Sequence, residues 1–427
     1  MTEKLLQFIW RYRYFNQQGL RLFSGEPILI DDPGIVNPDQ GPDFLNAKIR
    51  IDGVQWIGSV ELHLFSSGWE KHGHDRDAHY RNVILHVVWM DDLEQPVAGI
   101  PQLELHQHIS GLMLNRYQTW MNARTPIACD GSLLQAGFPG WTDWMSRLLQ
   151  ERLERKSREL ICSLKEGLFH WEEQCWQRLA WGFGLRVNAA AFESVARSIP
   201  LNLLSKHREN RIQIEALLFG QSNLLNHSPG EDYLIRLQQE YSFLKRKYRL
   251  KKVYEPMFFL RMRPEHFPTI RLSQLAGLFT KSSNLFFYFC RCGTLKELRQ
   301  SLQTNADEYW RTHYVFGKLS KPHPVTLSNG MIDLLIINSV IPLLYTYGKF
   351  HTEINMTGKI MRWMAEIGGE KNSLLTPWLK RGTPIRSAAD SQALLELSKH
   401  YCLKKNCLNC DVGKWLLKQG DSSLSGY

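Results

Sequence analysis

Two β-rich runs, Phe44 to Ile51 and Trp56 to Phe65, constrain this chain more than any other feature. Side chains on an extended strand alternate between faces. Val60, Leu62 and Leu64 therefore point one way, into a core, and Glu61 and His63 point the other. The polar face is left with a carboxylate and an imidazole, next to wherever Asp43 of Gly41-Pro42-Asp43-Phe44 sits at the head of the preceding run. Two carboxylates and a nitrogen base on adjacent strands suit a divalent-metal hydrolase, with Asp43 and Glu61 holding Mg²⁺ or Mn²⁺ and His63 serving water. The bland alternative is a solvated strand face.

The surrounding pattern sets the fold class. Leu5, Leu6, Ile9, Trp10, Tyr12 and Phe15 recur at helical spacing. Short β-rich runs follow at Pro27 to Ile30 and Val83 to Trp89, the latter so apolar through Val88 that both its faces should be covered. Ser66 to Asn82 is polar and His-rich, long enough for a short helix. From about residue 140 the spacing is helical almost throughout, in segments such as Trp171 to Phe183 and Tyr233 to Tyr248. The expectation is an α+β chain: a mixed-sheet domain with flanking helices over 1–125, a Pro- and Gly-bearing linker over 126–140, a large all-α region over 141–390, and a helical segment over 391–427 with a cysteine cluster.

At 427 residues, 43% hydrophobic and 22% charged, the composition is that of a globular protein. The longest apolar run, Met331 to Tyr347, is interrupted by Asp333, Asn338 and Pro342, so no membrane partner is expected. The N-terminus lacks the apolar block of a signal peptide, which points to the cytoplasm. There, the eight cysteines read as thiols or metal ligands rather than disulfides. The net charge of +10 favours an anionic partner, nucleic acid being the commonest. Much of the excess lies between Lys245 and Arg271, where Tyr248 and Tyr254 interleave with lysines, and where Arg261, Arg263 and Arg271 are candidate phosphate contacts.

Three further groups could carry chemistry. In Trp69 to His79, His72 and His74 are candidate substrate contacts beside the strand site; a zinc site built with Asp77 would need those side chains to converge. Cys402, Cys407 and Cys410, spaced C-x4-C-x2-C after His400, suit zinc or an iron–sulfur cluster, with His400 or Cys129 as fourth ligand. Buried thiols at a helix end are the competing reading. Glu104-Leu105-His106 repeats the Glu-x-His pattern without a preceding Pro-Asp strand.

The order helix, three strands, helix, strand, with Pro42-Asp43 and Glu61-x-His63, resembles the core of the PD-(D/E)XK nuclease superfamily over residues 1–110. That resemblance implies Mg²⁺ at Asp43 and Glu61. It departs at His63, which stands where the family has a lysine; Lys48 is the nearest substitute. Some iron–sulfur nucleases of that group carry a C-terminal cysteine cluster, to which Cys402 to Cys410 is similar in composition. The whole chain also resembles a bacterial domain-of-unknown-function family common in Bacteroidetes, through Gly41 to Lys48, Val60 to His63, Val83 to Val88, Phe267 to Leu272 and Tyr401 to Cys410. The functions implied are a metal-dependent nuclease or, alternatively, a nucleic-acid-binding scaffold with a degenerate nuclease-like core.

Overall fold

Thr2 starts the first helix, α1 (Glu3–Tyr12), by accepting the Leu5 amide on its side chain. The computed structural model describes residues 1–93, 97, 99–131, 137–164, 170–226, 230–260, 262–282 and 284–419. The fold is α+β, and its contacts divide it into two units. Unit 1 combines Met1–Trp144 with Leu397–Tyr427, and unit 2 is Met145–Glu396.

Unit 1 holds one mixed sheet of six strands: β1 (Ile28–Asp32), β2 (Ile35–Val36), β3 (Phe44–Ile51), β4 (Val54–Phe65), β5 (Val83–Met90) and β6 (Gln102–Glu104). The order is β1-β3-β4-β5-β6, with β2 beside the head of β3. The β1–β3 and β3–β4 pairs are antiparallel; β4–β5 and β5–β6 are parallel. Asp52 and Gly53 turn β3 into β4 with φ of 47° and 80°, the pair of positive values that a tight hairpin needs. The first four residues of β4 are exposed and the next six, Gly58 to His63, are buried. Burial begins one residue before β4 gains a second neighbour, at Ser59 opposite Val83. Val83 to Val88 is buried throughout, as its apolar run predicts.

Between β4 and β5 lies a short helix, α2 (Gly68–Lys71), then two single turns at His74–Arg76 and Ala78–Tyr80. The sequence suggests one helix here; Gly73 ends it, with φ of 71°, and reverses the chain after His72. Asp92, just past β5, fixes the start of α2 by accepting from the Ser67 amide at 2.8 Å and the Ser66 hydroxyl at 2.9 Å.

The C-terminal segment completes unit 1. Arg116 donates to the Leu416 carbonyl, Lys405 donates to the Met121 carbonyl, and Trp144 meets Tyr401 edge to face at 5.3 Å.

Unit 2 is helical apart from a small hairpin, His313–Val315 with Lys318–Leu319. Its longest apolar stretch is continuous where the sequence reads as interrupted. Asn329–Phe350 is one helical run of 22 residues, long and apolar enough to cross a membrane, with 72% of its most apolar window buried. The polar interruptions are absorbed. Asp333 pairs with Arg299 at 2.8 Å, Asn338 accepts from Lys156 at 2.9 Å, and a widened turn at Ile336–Val340 precedes Pro342, which has no amide to donate.

Candidate functional site

Strand β4 delivers Glu61 and His63 to one side of the sheet, and both are buried there, at 6% and 2% exposure. Asp43, at the head of β3, meets them through the backbone. Its amide donates to Glu61 Oε2 at 3.0 Å, and its own Oδ2 accepts the Leu62 amide at 3.1 Å. Asp43 Oδ1 accepts from Gln7 of α1 at 2.7 Å. Three of the four carboxylate oxygens thus already accept a hydrogen bond within the protein. The fourth, Glu61 Oε1, faces imidazoles: His74 Nε2 at 3.4 Å and His63 Nε2 at 3.7 Å.

Further histidines gather around His63. His63 Nε2 lies 3.0 Å from His72 Nδ1, at the end of α2, and His63 Nδ1 lies 2.9 Å from His86 Nε2 on β5. The turn at Gly73 brings His74 back over the site, where its ring stacks on Tyr80 at 3.8 Å. Trp69 walls the other side, 5.3 Å from His74 and 5.2 Å from His86. His74 Nε2 and His86 Nδ1 are buried without a hydrogen-bond partner. Among the described residues, His63, His72 and His74 are the one group of three or more His, Cys, Asp or Glu side chains whose ligand atoms all lie within 4.8 Å of one another.

Burial governs the charge states. It pushes Glu61 up to about 8, with the Asp43 charge adding to the shift, and Asp43 up to about 6. The same desolvation pushes His63 down to about 3 and His86 down to about 4, and lowers His74. These three imidazoles are therefore neutral at pH 7, the form that ligates metals and accepts protons. His72 and His74 line a cleft of about 950 Å³ that also carries three bases, Lys71, Arg76 and Arg81, and three acids, Glu70, Asp75 and Asp77.

The remaining candidates lie elsewhere. Asp77 turns away and pairs with exposed His79 at 2.6 Å, so the alternative set His72, His74 and Asp77 is not assembled. Lys48 is exposed between buried Ala47 and Ile49. In unit 2, Arg263 is exposed beside Glu265, whereas Arg271 is buried, donating to Gln274 at 2.8 Å and meeting His266 at 2.7 Å. That burial withdraws Arg271 from any polyanion in solution. Arg261 lies outside the described residues. Cys407 and Cys410 are buried at the start of the helix Asp411–Lys418, where burial raises Cys407 to about 11 and raises Cys410. With Cys402 they do not form a group of mutual ligand distance like that of the histidines.

Sequence reasoning missed His86, Trp69, Tyr80 and Gln7. One signal was available for His86: a lone imidazole inside a run that is otherwise apolar, in register with Glu61 once β4 and β5 pair in parallel.

A family model described as "Protein of unknown function (DUF2851)" matches residues 3–373. The chain belongs to this family. The match includes every residue of the Glu61 and histidine cluster, and stops before Cys402. No curated protein and no solved structure matches the chain.

Proposed function

We propose that this protein is a metal-dependent hydrolase of phosphodiesters, a nuclease in which imidazoles have replaced part of a carboxylate-and-lysine site. The observation that carries this reading is Glu61 Oε1, a carboxylate oxygen aimed at two imidazole nitrogens beside an open cleft. A bound divalent cation would supply Lewis acidity toward a phosphate oxygen and toward water. The protein's own groups do the rest. Glu61 and the histidines would position the cation, and the Asp43 amide holds Glu61 in place. The cleft balances Lys71, Arg76 and Arg81 against Glu70, Asp75 and Asp77, with Arg76 paired to Asp75 at 3.4 Å, so a cation at the histidines would supply the net positive charge an anionic substrate needs.

The sheet supports the same reading. A helix, antiparallel strands with an acid at the head of β3, and a parallel strand after the Glu-bearing β4 follow the element order of the PD-(D/E)XK core. Nucleic acid is the favoured substrate because of the +10 net charge and an exposed segment of unit 2 in which Lys247 lies over Phe243 and Tyr248, and Lys252 over Tyr254. That segment equally favours a second reading, a nucleic-acid-binding scaffold without catalysis.

Incubation of chelator-stripped protein with Mn²⁺ or Zn²⁺ and a panel of DNA and RNA substrates separates the two. Cleavage that Glu61→Gln abolishes supports the hydrolase. Binding without cleavage under every metal supports the scaffold.

A further inference from the structure

We propose that His63, His72 and His74, with Glu61 as a fourth ligand, bind a single nitrogen-preferring transition-metal ion, zinc foremost, rather than the magnesium that Asp43 and Glu61 alone would hold. This specifies the cofactor of the hydrolase reading and rests on it for the site's role, though occupancy is measured without reference to catalysis.

Spacing is the first argument. An ion bonded tetrahedrally at about 2.0–2.1 Å keeps its ligand atoms about 3.3 Å apart. His63 Nε2 and His72 Nδ1 are 3.0 Å apart, Glu61 Oε1 and His74 Nε2 are 3.4 Å apart, and Glu61 Oε1 and His63 Nε2 are 3.7 Å apart. The three imidazole ligand atoms lie within 4.8 Å of one another and Glu61 stands just outside that group, so closing all four on one ion takes side-chain movement at the wider pairs.

Unfilled bonding capacity is the second. The His74 side chain is 9% exposed and its Nε2 makes no hydrogen bond, although it faces Glu61 Oε1. A buried nitrogen left in that state costs free energy unless something fills the gap. A cation between the two atoms satisfies both.

The third is the support behind the ligands. Metal-bound imidazoles generally use their other nitrogen to fix the ring, and ligating carboxylates are themselves hydrogen-bonded. His63 has His86 at its Nδ1, and Glu61 has the Asp43 amide at its Oε2. Ligation at His63 Nε2 places the His63 proton on Nδ1, where it donates to His86 Nε2. Gly68 lies so close that a Cβ there would stand 2.8 Å from the His63 ring, so the backbone itself clamps that ligand.

Ligand chemistry selects the ion. Mg²⁺ demands near-octahedral oxygen and keeps its waters, whereas imidazole suits zinc, copper, iron and nickel. Three nitrogens and one oxygen make a poor magnesium site. Four protein ligands complete a tetrahedron, so a water or substrate oxygen entering from the cleft beside His72 and His74 would have to raise the ion to five-coordinate.

Cobalt(II) titration of chelator-stripped, full-length protein tests this, because four-coordinate cobalt absorbs visible light strongly and six-coordinate cobalt does not. The expected result is one equivalent bound with a tetrahedral-type spectrum, displaced by Zn²⁺ and not by Mg²⁺. His72→Ala and His74→Ala should each weaken binding at least tenfold, and His79→Ala, an exposed histidine outside the cluster, should not. His72 is exposed, so His72→Ala keeps the test alive should His74→Ala fail to fold. Folded wild type that gives no such spectrum, or binding indifferent to both substitutions, overturns the proposal. Cobalt bound in this way with no phosphodiesterase activity defeats the hydrolase reading alone. Magnesium-supported cleavage without a cobalt signal defeats this proposal alone.

Discussion

Asp43 and Glu61 hold each other across the β3–β4 pair: the Asp43 amide donates to Glu61 Oε2 at 3.0 Å, and the amide next to Glu61, that of Leu62, donates to Asp43 Oδ2 at 3.1 Å. The two acids are thus built into the sheet as reciprocal acceptors, and only one oxygen of Glu61 is turned toward the histidines.

That reciprocity separates two substitutions at one position. Glu61→Gln keeps a carbonyl oxygen for the Asp43 amide but cannot ionise on a bound cation, so it should fold like wild type and lose cobalt binding and cleavage. Glu61→Ala leaves the amide unpaired in a buried setting and should also lower stability by about 1–3 kcal/mol. Urea melts beside metal titrations check this; equal stability of the two variants would remove the structural half of the claim.

Gly68 gives a test that touches no ligand. Gly68→Ala places a methyl 2.8 Å from the His63 ring and should push that ring off its present position. We expect metal affinity to fall about tenfold or more, at a stability cost of about 1–3 kcal/mol. Unchanged cobalt affinity in the folded variant would show that His63 does not need this backbone contact.

The exposed segment of unit 2 should read as a stacking surface for single strands. Tyr254 is 81% exposed, with Lys252 over its ring at 5.6 Å. Tyr254→Ala should weaken oligonucleotide binding by about 1–3 kcal/mol. Lys251→Ala and Lys252→Ala should each reduce the salt dependence of log K by about one unit. Fluorescence anisotropy over a salt series measures both, and an unaltered slope places the nucleic acid elsewhere.

Glu215 makes unit 2 sensitive to pH. It is fully buried, accepting from Ser273 at 2.6 Å and Tyr233 at 2.9 Å and paired with Arg211 at 3.1 Å. Burial nonetheless pushes its carboxyl up to about 7 from an ordinary 4.5. The folded state then holds a proton that the unfolded chain releases. The resulting stabilisation is fully present below about 4.5 and is lost as pH rises through about 7. Its size is on the order of 3 kcal/mol. Glu215→Gln should flatten this part of the stability profile, and parallel wild-type and variant profiles would contradict it.

Much of the frame was legible in the sequence because it depends on short-range periodicity. Two-residue alternation puts Glu61 and His63 on one face and Val60 and Leu62 on the other, whatever β4 packs against. Val83 to Val88 announces a strand covered on both sides. The histidine cluster was harder to read, because it depends on pairing register and on one backbone angle. His86 matters only after β5 lies parallel to β4 with Glu61 beside it, and no spacing within either strand states that register. A continuous helix through this segment would carry His74 away from the face of His72; Gly73 breaks it and folds His74 back. Arg271 reads as a phosphate contact in a basic stretch, yet helical phase turns it inward to Gln274. The helix Asn329–Phe350 runs through residues that read as interruptions, because Arg299 and Lys156 reach their polar groups.

Unit 1 is interrupted by the whole of unit 2. Its sheet is encoded before residue 145, but the segment that meets Arg116, Met121 and Trp144 is encoded after residue 396. On a ribosome, which delivers about 5–20 residues per second, the helical unit can therefore mature while the earlier unit still waits for its closing piece. For many seconds the site-bearing sheet exists as an unfinished nascent fragment. Chaperones have that interval in which to engage it, and a late nonsense mutation would leave it permanently in that form.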